Sequence, residues 1–165
     1  MKKILSLLGI CLTTSALMAG GDISSALPEV AQVPAKACKE NKIYEERDVN
    51  LMWQDQAYTE SENGAFKNQR SIAKAGTFRH SSNYCARLNY AGYSDWRLPT
   101  SDELTHVHSK KGQVFTYFRD NDFWTSTPTV ENKYYVVFPA DAVRYARSLR
   151  QSNFIRCVRC SVNDR

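Results

Sequence analysis

"SDWRLPTSDEL", residues 94–104, decides how the chain is read. Trp96 and Leu98 alternate with Asp95 and Arg97, so the apolar pair shares one side of a short extended segment that Pro99 ends. Thr100 and Glu103 then stand at the spacing of a capping box, in which the hydroxyl accepts from the Glu103 N–H and the carboxylate accepts from the Thr100 N–H. A helix from Ser101 to about His108 follows, with Asp102 and Glu103 in the first turn, where the helix dipole favours acids. The stretch reads as scaffold: two core anchors, a strand stop and a helix start. Arg97 stays open, because a buried guanidinium needs a carboxylate, and Asp95 and Asp102 are nearest in sequence.

Upstream, Phe78, Cys85 and Leu88 share one face of a helix predicted over Phe78 to Ala91, with Gly92 placed to close it. Further upstream, Ile43–Glu46 and Val49–Trp53 read as two short strands or one bent one. Gln54 to Gly76 is polar, with a turn at Asn63 and Gly64, and shows no assignable period. Downstream, aromatic and β-branched residues mark strands at Phe123–Ser126, Tyr134–Phe138, Val143–Leu149 and Phe154–Cys160. Two helices followed by four strands make an α+β domain with an antiparallel sheet.

Residues 1–19 read as a secretory signal peptide: Lys2 and Lys3, an apolar run from Ile4 to Leu12, and Ala19 before the expected cleavage. The run is too short for a membrane span, which needs about 18 apolar residues. Residues 20–37, with Pro28 and Pro34 and no period, read as a flexible leader, which leaves 38–165 as one domain. Removing Lys2 and Lys3 lowers the formal charge of +5 to +3 (5 − 2), an excess that permits an acidic partner without requiring one. No nucleic-acid partner is expected.

Cys38, Cys85, Cys157 and Cys160 remain after cleavage, an even number in an exported chain, so two disulfides are expected. Cys157 and Cys160 also form a C-x-x-C, but no second pair stands at metal-ligand spacing.

"LMWQD" (51–55), "YCARLNYAGYSDWRLPTSDEL" (84–104), "FWTSTPT" (123–129), "YYVVF" (134–138) and "FIRCVR" (154–159), in this order, resemble the bacterial extracytoplasmic family of the C-terminal domain of Legionella collagen-like protein. The resemblance implies a C-type-lectin-like fold, with two helices packed on a twisted antiparallel sheet whose first and last strands pair. It further implies a bridge from the first helix to the last strand, Cys85 to Cys157 or else to Cys160. With the first strand beside the last, Cys38 would reach Cys160. Formylglycine-generating enzymes share that superfold, but a fold does not carry chemistry with it.

No nucleophile elbow, phosphate loop or zinc-protease motif occurs, and the calcium-holding motifs of sugar-binding lectins are missing around Trp124 and Pro128. His106 and His108, two apart on a helix, face different ways, so these and His80 are expected as solvated surface and no metal or cofactor site is expected. The expectation is therefore an exported, periplasmic or extracellular, non-catalytic binding domain. Its candidate ligand residues are Lys110, Lys111, Arg144, Tyr145, Arg147, Arg150 and Arg156, since guanidinium groups grip sulfate or carboxylate and tyrosines stack on sugar rings. Solvated charges paired with Glu131 and Asp141 are the competing account. The resemblance implies an anionic, sulfated glycan as ligand, in the manner of an adhesin. A structural docking module of an envelope assembly (secretion, pilus or flagellar machinery) is the alternative, and a degenerate formylglycine-generating-type enzyme a distant third.

Overall fold

A computed structural model describes residues 41–161. The predicted signal peptide, the leader and Cys38 lie outside the described residues.

Runs of adjacent apolar residues set the architecture. In β1 (Ile43–Glu46) and β2 (Leu51–Gln54), then β4 (Phe123–Pro128), β5 (Lys133–Phe138), β7 (Asn153–Phe154) and β8 (Val158–Cys160), neighbouring side chains point to opposite faces. Both faces are covered. Leu51, Trp53, Phe123, Val137, Phe154 and Val158 enter one core with Leu104, Val107 and Phe115. Their neighbours Met52, Trp124, Val136, Ile155 and Cys157 enter a second core with Cys85, Tyr90, Trp96 and Leu98. Burial on two sides explains why these strands read as continuous apolar runs and not as a clean alternation.

The strands form two sheets, in the orders β1-β2-β8 and β3-β7-β4-β5-β6, where β3 is Ala75–Gly76 and β6 is Val143–Ser148. Pairing is antiparallel except for a parallel contact of Phe123 with Phe154. The last strand lies beside β2, opposite Leu51 to Trp53, and β1 sits on the far side of β2, so the expected pairing of first and last strands does not form. The single strand expected over Phe154–Cys160 is two: the chain leaves one sheet after Phe154 and joins the other at Val158.

Among the described residues three helices pack on these sheets, α1 (Glu60–Lys67), α2 (Phe78–Ala86) and α3 (Ser101–Ser109), one more than the sequence predicts there. α1 opens with the same device as α3: Thr59 Oγ1 accepts from the Glu62 N–H and the Glu62 carboxylate accepts from the Thr59 N–H. α2 ends at Ala86, short of the expected Ala91, because Tyr90 turns into the second core, its hydroxyl donates to the Lys42 carbonyl at 2.6 Å, and Ala91 and Gly92 take a left-handed turn. A disulfide joins Cys85 of α2 to Cys157, 72 residues on, and both half-cystines are fully buried. The protein is thus a disulfide-stapled α+β domain. Cys160 is exposed and has no disulfide partner among the described residues, and the second expected bridge depends on Cys38, which lies outside them.

Candidate functional site

The opening motif behaves as scaffold. Trp96 and Leu98 are buried, and the Arg97 backbone exchanges two 2.9 Å hydrogen bonds with Val158. The Arg97 guanidinium finds neither Asp95 nor Asp102. It grips the capping carboxylate of Glu103 with both nitrogens, at 2.8 and 2.6 Å. Burial opposes ionisation of Glu103, but hydrogen bonds from Arg97 and Thr100 outweigh it and hold its carboxyl below the usual range. Asp95 instead receives two hydrogen bonds from Arg159, at 2.7 and 3.1 Å. Glu62, the other capping glutamate, is buried and holds Lys74 at 2.8 Å.

The candidate ligand residues do not form one surface. Arg156 is not a surface residue: it is 2% exposed, its guanidinium lies 3.8 Å from the Phe115 ring centroid, and it bonds the carbonyls of Gln54 and Tyr117 and the Asp55 carboxylate. It sits where the chain crosses between sheets, and it joins Asp55, which in turn accepts from the N–H groups of Thr116 and Tyr117, to the loop before β4. Arg144 reaches α3 and pairs with Asp102 at 2.6 Å, and Arg147, on the other face of β6, pairs with Asp122 at 2.7 Å. The partners expected for them, Glu131 and Asp141, bind Lys133 and the Val143 N–H. Lys110 pairs with Asp48 at 2.5 Å. Tyr145 is exposed beneath the Arg147 guanidinium, and Lys111 and Arg150 are exposed.

The basic surface lies elsewhere. Between Glu62 and Asp95 the sequence holds Lys67, Arg70, Lys74, Arg79 and Arg87 and no acid, a run that the sequence reading passed over. Lys74 is buried with Glu62, but Arg79 and Arg87 are exposed on α2 and its C-cap, eight positions apart and so on neighbouring parts of one face. No described carboxylate pairs with either. Beside them opens a groove lined by His80, Asn83, Tyr84, Arg87, Leu88 and Asn89. Its floor is ordered: the Tyr84 hydroxyl accepts from Gln54 at 3.0 Å, and the His80 and Tyr84 rings stack at 6.4 Å. The Phe78 N–H donates to the Leu149 carbonyl at 3.1 Å, which brings Arg150 next to the start of α2. Of the arginines picked from the sequence, Arg150 alone adjoins this face.

A second polar cluster joins the β1–β2 turn to α3. Glu46, at the end of β1, is 1% exposed and accepts the Trp53 indole N–H at 2.7 Å on Oε2. Its Oε1 is buried and pairs with two cationic groups, Lys110 Nζ at 3.3 Å and His106 Nε2 at 3.5 Å. Asp48 Oδ2 lies 3.6 Å from the same imidazole nitrogen. His106 is half-exposed, as expected, whereas His108 is not solvated: it turns inward among Phe115, Phe118 and Phe123.

Two apolar cores on opposite faces of the strands and a disulfide from α2 to the segment between β7 and β8 define a small stapled α+β module. Residues 42–159 match the model of the Lcl C-terminal domain, and the chain belongs to that family. A comparison with curated proteins gives no match. Among the described residues no helix is long and apolar enough to cross a membrane.

Proposed function

We propose that this chain is an exported, non-catalytic binding domain that recognises an anionic, sulfated glycan through α2. The observation that carries the reading is the pairing of unneutralised arginines, Arg79 and Arg87, with a groove whose lining offers a tyrosine ring and two asparagine amides. Guanidinium groups bind sulfate with paired N–H donors, and amides and an aromatic ring meet hydroxyls and the apolar face of a sugar. The absence of acid from Asn63 to Ser94 removes the local repulsion that would offset this attraction. Export is supported by the buried disulfide, a bond of oxidising compartments.

Retention on immobilised heparin in a salt gradient tests the site. The Arg79→Ala/Arg87→Ala variant is expected to elute at clearly lower salt than wild type. Arg144→Ala/Arg147→Ala is expected to elute with wild type, because Asp102 and Asp122 already neutralise those side chains. Equal elution of the α2 variant and wild type refutes the reading.

A docking role in an envelope assembly has one observation in its favour. β6 is an edge strand, bonded on one side only, with Val143, Tyr145 and the adjoining Leu149 about two-fifths exposed (42%, 39% and 37%). Such edges accept an added strand. A photo-crosslinker at Tyr145 that captures one envelope protein would support it, and capture of none would not.

A further inference from the structure

We infer that Glu46, Asp48 and His106 bind a divalent metal ion of the zinc type, in exchange with the ammonium group of Lys110. The three ligand atoms, Glu46 Oε1, Asp48 Oδ2 and His106 Nε2, lie within 4.8 Å of one another. Bonds of about 2.0–2.2 Å in a tetrahedral site place ligands about 3.3–3.6 Å apart. The two measured edges from His106 Nε2, 3.5 Å to Glu46 and 3.6 Å to Asp48, fall in that range without rearrangement.

The independent sign of a missing ligand is Glu46 itself. Its Oε1 is fully buried, makes no hydrogen bond and meets only charge partners, the Lys110 ammonium at 3.3 Å and the His106 imidazole at 3.5 Å, so a cation is what it is placed to hold. Its other oxygen is fixed by the Trp53 indole, the kind of outer contact that orients a ligating carboxylate. Lys110 marks the place as one that holds positive charge, at 2.5 Å from Asp48 and 3.3 Å from Glu46. Its flexible stem starts from the C-cap of α3, so the ammonium can swing into solvent while the carboxylates and imidazole stay. One imidazole and two carboxylates favour zinc-class ions over magnesium and calcium, which prefer all-oxygen shells. His106 lies in the last turn of α3, where the helix dipole also favours a cation. The bound ion would tie the β1–β2 turn to α3 from outside the disulfide.

The experiment is a titration of the oxidised full chain, with any remaining free thiols alkylated, using zinc chloride, followed by calorimetry and by tryptophan emission, since Trp53 touches Glu46. One equivalent is expected to bind, with Trp53 emission changing in step, and magnesium is expected not to compete. Lys110→Met, which removes the rival cation, is expected to bind about tenfold more tightly, and His106→Ala, at a half-exposed position that leaves the fold intact, at least about tenfold more weakly. The inference is overturned if neither wild type nor Lys110→Met binds zinc, if His106→Ala binds as wild type does, or if Lys110→Met gives no tightening.

Discussion

His108 makes the stability of this domain fall as the solution turns mildly acidic. Its ring centroid lies 5.5 Å from Phe115, 6.5 Å from Phe118 and 6.3 Å from Phe123, its Nε2 is buried without a partner, and Arg156 stacks on the same Phe115. Burial, and then the positive charge of Arg156, push its pKa down from 6.5 to about 3. In the unfolded chain the ring protonates near its ordinary value, so between these two values the unfolded state holds one proton more than the folded one. Stability therefore rises with pH across that window and falls as pH drops through it, by about 1.4 kcal/mol per pH unit. Near pH 5 the loss is about 2 kcal/mol, before carboxylate protonation contributes at lower pH.

His108→Phe removes the titrating group and keeps an aromatic ring in the aromatic pocket. Urea unfolding of the oxidised protein at several pH values from near neutral to about 5, read by tryptophan emission, measures the slope in each. The variant is expected to lose less stability over this interval than wild type, whatever its stability at neutral pH. Parallel slopes would refute the reasoning, because they would mean that His108 binds its proton equally well in both states.

Two further outcomes follow from the packing. Replacing both Cys85 and Cys157 by alanine opens a loop of 72 residues and is expected to cost about 4 kcal/mol, a fall of about 15 °C in Tm by differential scanning fluorimetry. Gly76→Ala is expected to cost about 1–3 kcal/mol in the same urea assay, because the new Cβ would lie 2.6 Å from His80 Cδ2, 2.7 Å from Ser71 Oγ and 2.9 Å from Ser71 Cβ, and Ser71→Gly should recover part of that loss.

What the sequence made legible was local. Thr100 and Glu103 announced α3, Trp96 and Leu98 announced the core, and the five blocks announced the family and the Cys85 bridge that it implies. α1 carries the same capping signature at Thr59 and Glu62 but buries only Glu62 and Ala65, so it has no apolar period for a reader to find. The Arg97 partner was missed for a related reason: Glu103 was already assigned to the cap, and a carboxylate has two oxygens with which to serve both. Arg156 was misread because its surroundings, Asp55 at 101 residues' separation and the rings of the opposite core, are brought together only by the fold. The Glu46, Asp48 and His106 cluster was hidden by distance along the chain in the same way.

These misreadings share a physical origin, and it bears on where a ligand binds. A sheet covered on both faces has little outer surface, so several charged side chains end inside it or at its rim, paired with acids: Arg156 with Asp55, Lys74 with Glu62, Arg159 with Asp95, Arg144 with Asp102 and Arg147 with Asp122. The basic excess of the composition is therefore a poor guide to basic surface. Each acid that neutralises an arginine of the last strands is unavailable to α2, whose own stretch supplies none, so Arg79 and Arg87 stay unpaired beside the groove while Arg144, Arg147, Arg156 and Arg159 are neutralised. Moving an acid, without removing an arginine, is therefore expected to relocate binding: Asp102→Asn and Asp122→Asn free Arg144 and Arg147 and should raise heparin retention, whereas Asn83→Asp, placed between Arg79 and Arg87 on α2, should lower it. Retention that tracks net charge alone, rising and falling by equal amounts for every such change wherever it lies, would show that no one face is the binding surface.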